Sequence, residues 1–363
     1  MFTALQRRTV WILWAFGLFG LLAIGARAET VVTPLIDRPG ITVYCDAVEE
    51  AIDAAETSIV ALLSTVELED DPLVDALIAA HGRGVDVRVL IDTSDWSSDI
   101  RAKGERAVAG LQEHGIDARL DDPAVTTHAK LIVFDGETTI LGSSNWNAYA
   151  FTEHEQANVR IDDPTIAAVY TEYFERIWDG RAAEGSAEVD FGEAFAAPSA
   201  IVPLPDANAS ALYGRLLLEL LPRARTSIHV AMYRMSIYPG YPDSLSNELV
   251  DALVAAAGRG VEVKVLLDDC RYYEDSAEAN LNSAIALYQR GIEVKLDGPE
   301  ETMHAKLLVV DGASVVLGST NWNYYSLEQN VEANVAFLSL PEIAAVYEAY
   351  FQLLWRNGRS LLR

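Results

Sequence analysis

The apolar positions of this chain change period several times, and the changes come in the same order twice. Short apolar runs, SIVALLS from Ser58 and SIHVAMYRMS from Ser227, read as strands. DALIAAHG and DALVAAAG, from Asp75 and Asp251, have helical spacing and stop at Gly82 and Gly258, a residue type that terminates helices readily. VDVRVLID and VEVKVLLD alternate with a period of two, which predicts strands. AVAGLQEHG and AIALYQRG predict further helices ending at glycine. HAKLIVFDG and HAKLLVVDG predict strands that enter Asp-Gly turns, with TTILGS and SVVLGS as the return strands. Each set closes on an amphipathic helix, PTIAAVYTEYFERIW or PEIAAVYEAYFQLLW. Tyr170, Phe174 and Trp178, like Tyr347, Phe351 and Trp355, recur at i, i+4 and i+8, the spacing of one buried face.

These two sets are copies. Asp75 recurs as Asp251 and His128 as His304, each displaced by 176 positions; Pro164 recurs as Pro341, displaced by 177. Strands interleaved with helices predict a layered α/β fold for each copy. The halves are assigned to 29–180 and 211–363. The segment 181–210 between them, rich in Ala, Gly, Pro and acid, is expected to be a linker.

The first 28 residues fit neither half. Arg7 and Arg8 precede an apolar run, Val10 to Ala26, and Ala26-Arg27-Ala28 offers a cleavage site. This is the layout of a signal peptide, and it predicts a secreted or cell-envelope protein. An uncleaved anchor is the alternative. In an exported chain Cys45 and Cys270 are either a disulfide or two buried thiols.

Half the residues are apolar, enough for substantial cores. Without the first 28 residues, 24 basic side chains face 54 acidic ones. Such a field opposes broad binding to nucleic acid or anionic lipid. It is equally the composition of a salt-adapted protein. Of only five lysines, Lys130 and Lys306 lie in the repeat.

The repeat is densest over HAKLIVFDGETTILGSSNWN and HAKLLVVDGASVVLGSTNWN, where thirteen of twenty positions are identical. In a regular strand His128 and Lys130 share a face, as do His304 and Lys306, whereas Asp135 and Asp311 point away. The two aspartates are expected to anchor the turns or to pair behind the sheet. Imidazole, ammonium and an Asn amide suit a phosphodiester: Lys supplies charge, Asn donors, and His a reactive nitrogen. Ser143 and Ser319 either add hydrogen bonds or cap the corner. The other histidines form no HxH or HExxH pattern, and no metal or other cofactor is expected. His81, His114 and His229 read as surface or packing residues, His154 lies near the site in sequence, and Tyr233 and Arg234 are candidates to line the pocket.

Both stretches fit the HxK-x4-D-x6-GSxN motif of the phospholipase D superfamily without a gap. The resemblance covers nearly the whole chain beyond residue 28. It implies two α/β/α sandwich halves related by a pseudo-twofold axis, one active site shared between them, and a monomer that is complete in itself. It also implies a two-step reaction in which one His attacks phosphorus and the other serves as acid, then base. Family analogy gives His128 as nucleophile and His304 as acid, with swapped roles as the alternative. Lys130, Lys306, Asn145 and Asn321 would hold the phosphate oxygens, helped by Ser143 and Ser319. The family often places an acid about 28 residues after the motif His. Here that place is Glu332 in one half and Gln156 in the other. If each reaches across the axis, Glu332 backs His128 and Gln156 backs His304. The residues after GSxN are Trp-Asn rather than the Leu-Asp usual in cardiolipin synthases. The expected activity is phosphodiester hydrolysis, with phospholipid favoured as substrate, a secreted endonuclease as the alternative, and an inactive phosphate-binding protein as the third reading.

Overall fold

A computed structural model describes residues 30–67, 72–93, 97–182, 190–207, 210–269 and 274–361. The expected signal peptide and Cys270 lie outside the described residues; Cys45 is buried.

Each copy builds one mixed sheet. In the first the strand order is Val31–Asp37, His154–Asp162, Thr138–Gly142, Lys130–Phe134, Ser58–Leu63, Asp86–Ile91, Asp117–Leu120. The second repeats it as Ala200–Asp206, Glu332–Leu338, Ser314–Gly318, Lys306–Val310, Ser227–Met232, Glu262–Leu267, Glu293–Leu296, and ends on Arg359–Ser360. Ser58–Leu63, Asp86–Ile91 and Asp117–Leu120 pair parallel, so helices must carry the chain between them. The remaining pairs among these seven strands are antiparallel.

Both motif strands are buried at every position, because each sheet is covered on both faces. Residues alternate between two cores. Ile132 and Phe134 face the outer helices of the first half, while Leu131 and Val133 face a core shared with the second half. Leu307 and Val309 enter that same shared core from the other sheet, and the closing helices Pro164–Trp178 and Pro341–Asn357 fill it. Their tyrosines bond across the junction. Tyr347 donates to the Asn158 carbonyl at 2.6 Å, and Tyr170 donates to the Asn334 carbonyl. Tyr173 donates to Glu332 O at 2.9 Å and Tyr350 to Asp37 O at 3.5 Å. The helical spacing found Tyr170 and Tyr347 but not Tyr173 and Tyr350, which sit one step off the i, i+4 row and are equally buried. Trp178 is only partly buried, with the Arg119 guanidinium 3.9 Å from its ring centre.

The segment 181–210 carries more structure than a linker. It contains a short helix, Gly192–Ala196, and the strand Ala200–Asp206, which pairs with Glu332–Leu338 along its whole length. Its counterpart in the first half is Val31–Asp37 on His154–Asp162. Asp37 faces Gln156 in that register, and Asp206 faces Glu332 in the other, so both edge strands end beside the orienting positions.

Candidate active site

The site forms where the two sheets meet, at the starts of the motif strands. Its approach segments are crossed between halves. Thr127 bridges to Val331, and the His128 N–H donates to the Val331 carbonyl at 2.8 Å. In mirror fashion Thr302–Met303 pairs with His154–Glu155, and the His304 N–H donates to the Glu155 carbonyl at 2.9 Å. Each motif histidine is therefore fixed by backbone of the opposite half. Two buried aspartates that end neighbouring strands hold the same segments: Asp92 accepts from Thr127 N at 2.8 Å and Asp268 from Met303 N at 2.9 Å. In the sequence each is only the last residue of VRVLID or VKVLLD, and nothing there marks this role.

The crossed orientation of the imidazoles is present. His128 Nδ1 lies 3.0 Å from both carboxylate oxygens of Glu332. His304 Nδ1 lies 2.9 Å from the Ser143 carbonyl and 3.1 Å from Gln156 Oε1. All these partners accept hydrogen bonds, so Nδ1 carries the proton in each ring and Nε2 is the free nitrogen. The lysines sit just behind: Lys306 Nζ donates to the His304 carbonyl at 2.7 Å, and Lys130 Nζ donates to that of His128. The histidines precede their strands rather than belonging to them, since the strands begin at Lys130 and Lys306.

Ser143 and Ser319 have a different place from the expected one. Both are fully buried, and their hydroxyls are committed to protein. Ser143 donates to Gln156 Oε1 at 2.7 Å and accepts from Ala157 N at 3.0 Å. Ser319 donates to the Glu332 carboxylate and accepts from Ala333 N at 2.9 Å. With its one proton spent, neither hydroxyl can donate to a phosphate; each fixes the side chain that orients a histidine. Asn145 and Asn321 follow at the same corners, and their buried Oδ1 atoms have no hydrogen-bond partner among the described residues. The glycines before the serines are required by close approach. A Cβ on Gly142 would lie 2.3 Å from Asn158 Oδ1, and one on Gly318 2.4 Å from Asn334 Oδ1. Asn158 Oδ1 in turn accepts from Ser143 N and Ser144 N, shaping the corner.

The rest of the motif is scaffold. Trp146 and Trp322 are buried, donating to Tyr44 and Tyr213 hydroxyls at 3.1 and 2.9 Å. Asn147 and Asn323 cap the short helices Ala148–Thr152 and Tyr324–Glu328. Asp135 and Asp311 sit in their turns with positive φ and accept backbone N–H groups at 56–58 and 225–227, at the far end of the strands from the histidines. Tyr233 meets the His304 ring edge-on at 4.5 Å, whereas Arg234 turns toward Ser276. His154 lies 5.9 Å from His304, ring to ring. His229 is packed between Glu348 and Glu262.

Electrostatics tie the four motif bases together. Burial pushes Lys130 down to about 7, against the pull of Glu332 and Asp92. Burial and the charge of Lys130 push Lys306 well below the usual lysine range. Burial also lowers both imidazoles, His304 the more, with Lys306, His154, Lys130 and His128 all adding to the effect there. Although burial alone would favour its neutral form, Glu332 is held below the usual carboxylate range by His128 and Lys130. The result is a desolvated pocket short of negative charge, which an anion completes. An anion bound there raises the proton affinity of Lys130 and its neighbours. The complex then keeps a proton that the free protein releases, and affinity falls as pH rises through 7. Sulfate, whose charge is constant over this range, is expected to bind about tenfold more tightly at pH 6 than at pH 8, with proton uptake measurable by calorimetry in buffers of differing ionisation enthalpy. A pH-independent affinity would count against this arrangement.

Two mixed sheets with crossed histidine-lysine corners make up one two-half unit with a single shared site. The family described as "Cardiolipin synthase, PLD-like domain" matches residues 48–178 and 217–355. The chain belongs to this family of the phospholipase D superfamily. Cardiolipin synthase B of Escherichia coli K12 is 26% identical over 320 residues, covering 80% of this chain and 73% of that protein. Mitochondrial cardiolipin hydrolase of Xenopus laevis is 33% identical over 107 residues, covering 30% of this chain and 49% of that protein, so the likeness spans about half the length of such relatives. Among solved structures, phosphatidylserine synthase of Haemophilus influenzae superposes with a TM-score of 0.70 at 14% identity, covering 90% of this chain and 87% of that one, which bears on the fold alone. Likeness to the cardiolipin synthases thus extends further along the chain than its Trp-Asn corners imply.

Proposed function

We propose that the protein is an exported phosphodiesterase that hydrolyses phospholipid to phosphatidic acid and an alcohol through a phosphohistidine. The observation that carries this reading is the pair of imidazoles, each held from behind at Nδ1 by the opposite half, beside two desolvated lysines. His128 Nε2 attacks phosphorus while the P–O bond to the alcohol breaks and His304 gives its proton to the departing oxygen. Water then forms the new P–O bond, the P–N bond breaks, and His304 takes the proton back. Lys130, Lys306 and the Asn145 and Asn321 amides face the charge that grows on the phosphoryl oxygens. A substrate anion supplies the field that lets a lowered His304 hold its proton for the first step.

Lipid is favoured over nucleic acid by the net charge of −27 and by Tyr149, Tyr324 and Tyr325, exposed just beyond the two Gly-Ser corners. Tyrosine suits a lipid–water boundary, having an apolar body and a polar tip. The test is an assay of purified protein in chelator on phosphatidylcholine vesicles and single-stranded DNA side by side. Phosphatidic acid release is expected; cleavage of DNA alone would replace this reading with the nuclease one, and inertness toward both would leave a binding protein.

A further inference from the structure

The two halves share a motif, yet the pocket between them is asymmetric beside one histidine. The position of Asn330 in the second half is that of His154 in the first. Asn330 is committed to scaffold, its Nδ2 3.2 Å from Glu332 Oε1. His154 is not: its ring is tilted 44° to that of His304 with centres 5.9 Å apart, and its buried Nδ1 has no hydrogen-bond partner among the described residues. On the other flank stands Tyr233, 4.5 Å from His304 and with Lys306 Nζ 4.6 Å from its ring centre. The parallel bridges Val66–Trp146 and Met235–Trp322 align the first strands, and they place Ser64 where the second half has Tyr233. His304 is thus hemmed by two rings at positions where the opposite half carries a serine and an amide. His304 is buried, whereas His128 is only half-buried.

A diester is itself nearly symmetric, so the protein must decide which ester oxygen leaves. Displacement in line from His128 puts the departing oxygen on the His304 side. We propose that His154 and Tyr233 wall a leaving-group subsite beside His304 that admits only a compact alcohol, and so fix the direction in which the diester lies. The larger, retained group then exits on the more open His128 side. At neutral pH the His154 wall is an uncharged ring, since burial and then Lys306 push its proton affinity down to about 4. This inference rests on the phosphodiesterase reading and names the size class of its departing group.

Short-chain phosphatidyl esters of methanol and of benzyl alcohol share a retained group and differ in the departing one. His154→Asn and Tyr233→Ser each install the residue that the opposite half carries at that place. Both are expected to raise the ratio of kcat/KM for the benzyl ester over the methyl ester by about tenfold, the scale on which apolar pockets discriminate size. The ratio does not depend on the fraction of enzyme folded, and either variant alone suffices. Turnover of both esters with an unmoved ratio in the two variants overturns the subsite but not the activity. Absence of turnover of both esters by the unaltered enzyme overturns the lipid phosphodiesterase reading and the inference with it.

Discussion

His128→Asn and His304→Asn are each expected to lower turnover of a phosphatidyl diester by at least about 10³-fold, yet to differ in what they leave on the protein. With an activated leaving group such as p-nitrophenolate, departure needs no proton. His304→Asn should then still form the covalent adduct on His128 and lack the base that hydrolyses it. A burst of nitrophenol followed by near arrest is the expected trace, with an acid-labile phosphorus label recovered on a peptide containing His128. His128→Asn should give neither burst nor label. The asymmetry follows from geometry as well as from family analogy. His128 is the more open imidazole and has a carboxylate behind it, which makes Nε2 the better nucleophile. His304 is closed in and backed by neutral carbonyls, which suits a group that must give up a proton easily. Label on His304 in the His128→Asn protein would reverse the roles while leaving the shared site intact.

Much of this site was legible because the chain writes it twice. A lone HxK triplet carries little, but the same polar set at a fixed displacement, while Phe134 becomes Val310, separates chemistry from packing. The family's spacing singles out Glu332 and Gln156, and the crossing it leaves conditional is present in the structure. What could not be read depends on where backbone runs in space. The edge strands Val31–Asp37 and Ala200–Asp206 contain Pro34, Pro203 and Pro205, which look like loop residues; at a sheet edge a missing N–H costs little, so the strands persist. The repeat PLxD, at Pro34 and Pro203, carries a displacement of 169, not 176, because seven extra residues follow Ser227–Met232, and the pair escapes a search at one offset. The sequence leaves the serines either on the substrate or capping the corner; their burial and their use by Gln156 and Glu332 appear only once the strands are paired.

Those two orienting side chains set the second large effect. Glu332 is fully buried, and its charge is answered on every side: by His128, by the Ser319 hydroxyl, and by the Asn330 amide. Its field also supports protonation of Lys130, so one carboxylate acts on both the His128 imidazole and the Lys130 ammonium. Glu332→Gln keeps the size and removes the charge. It is expected to lower kcat/KM on the order of 10²- to 10⁴-fold, as other losses of a carboxylate behind a working imidazole do. His128 should lose proton affinity, which moves the acidic limb of the pH–rate profile to lower pH. Lys130 should lose proton affinity as well, so KM at pH 7 rises. Gln156→Ala should cost about tenfold or less, because the Ser143 carbonyl 2.9 Å from His304 Nδ1 still fixes that ring. Equal losses, or a larger loss at Gln156, would mean that the carboxylate acts only by packing. Gln156→Glu adds a direct check: a second carboxylate behind His304 should raise its proton affinity and slow breakdown of the phosphohistidine at acidic pH, where the ring would no longer be free to accept a proton from water.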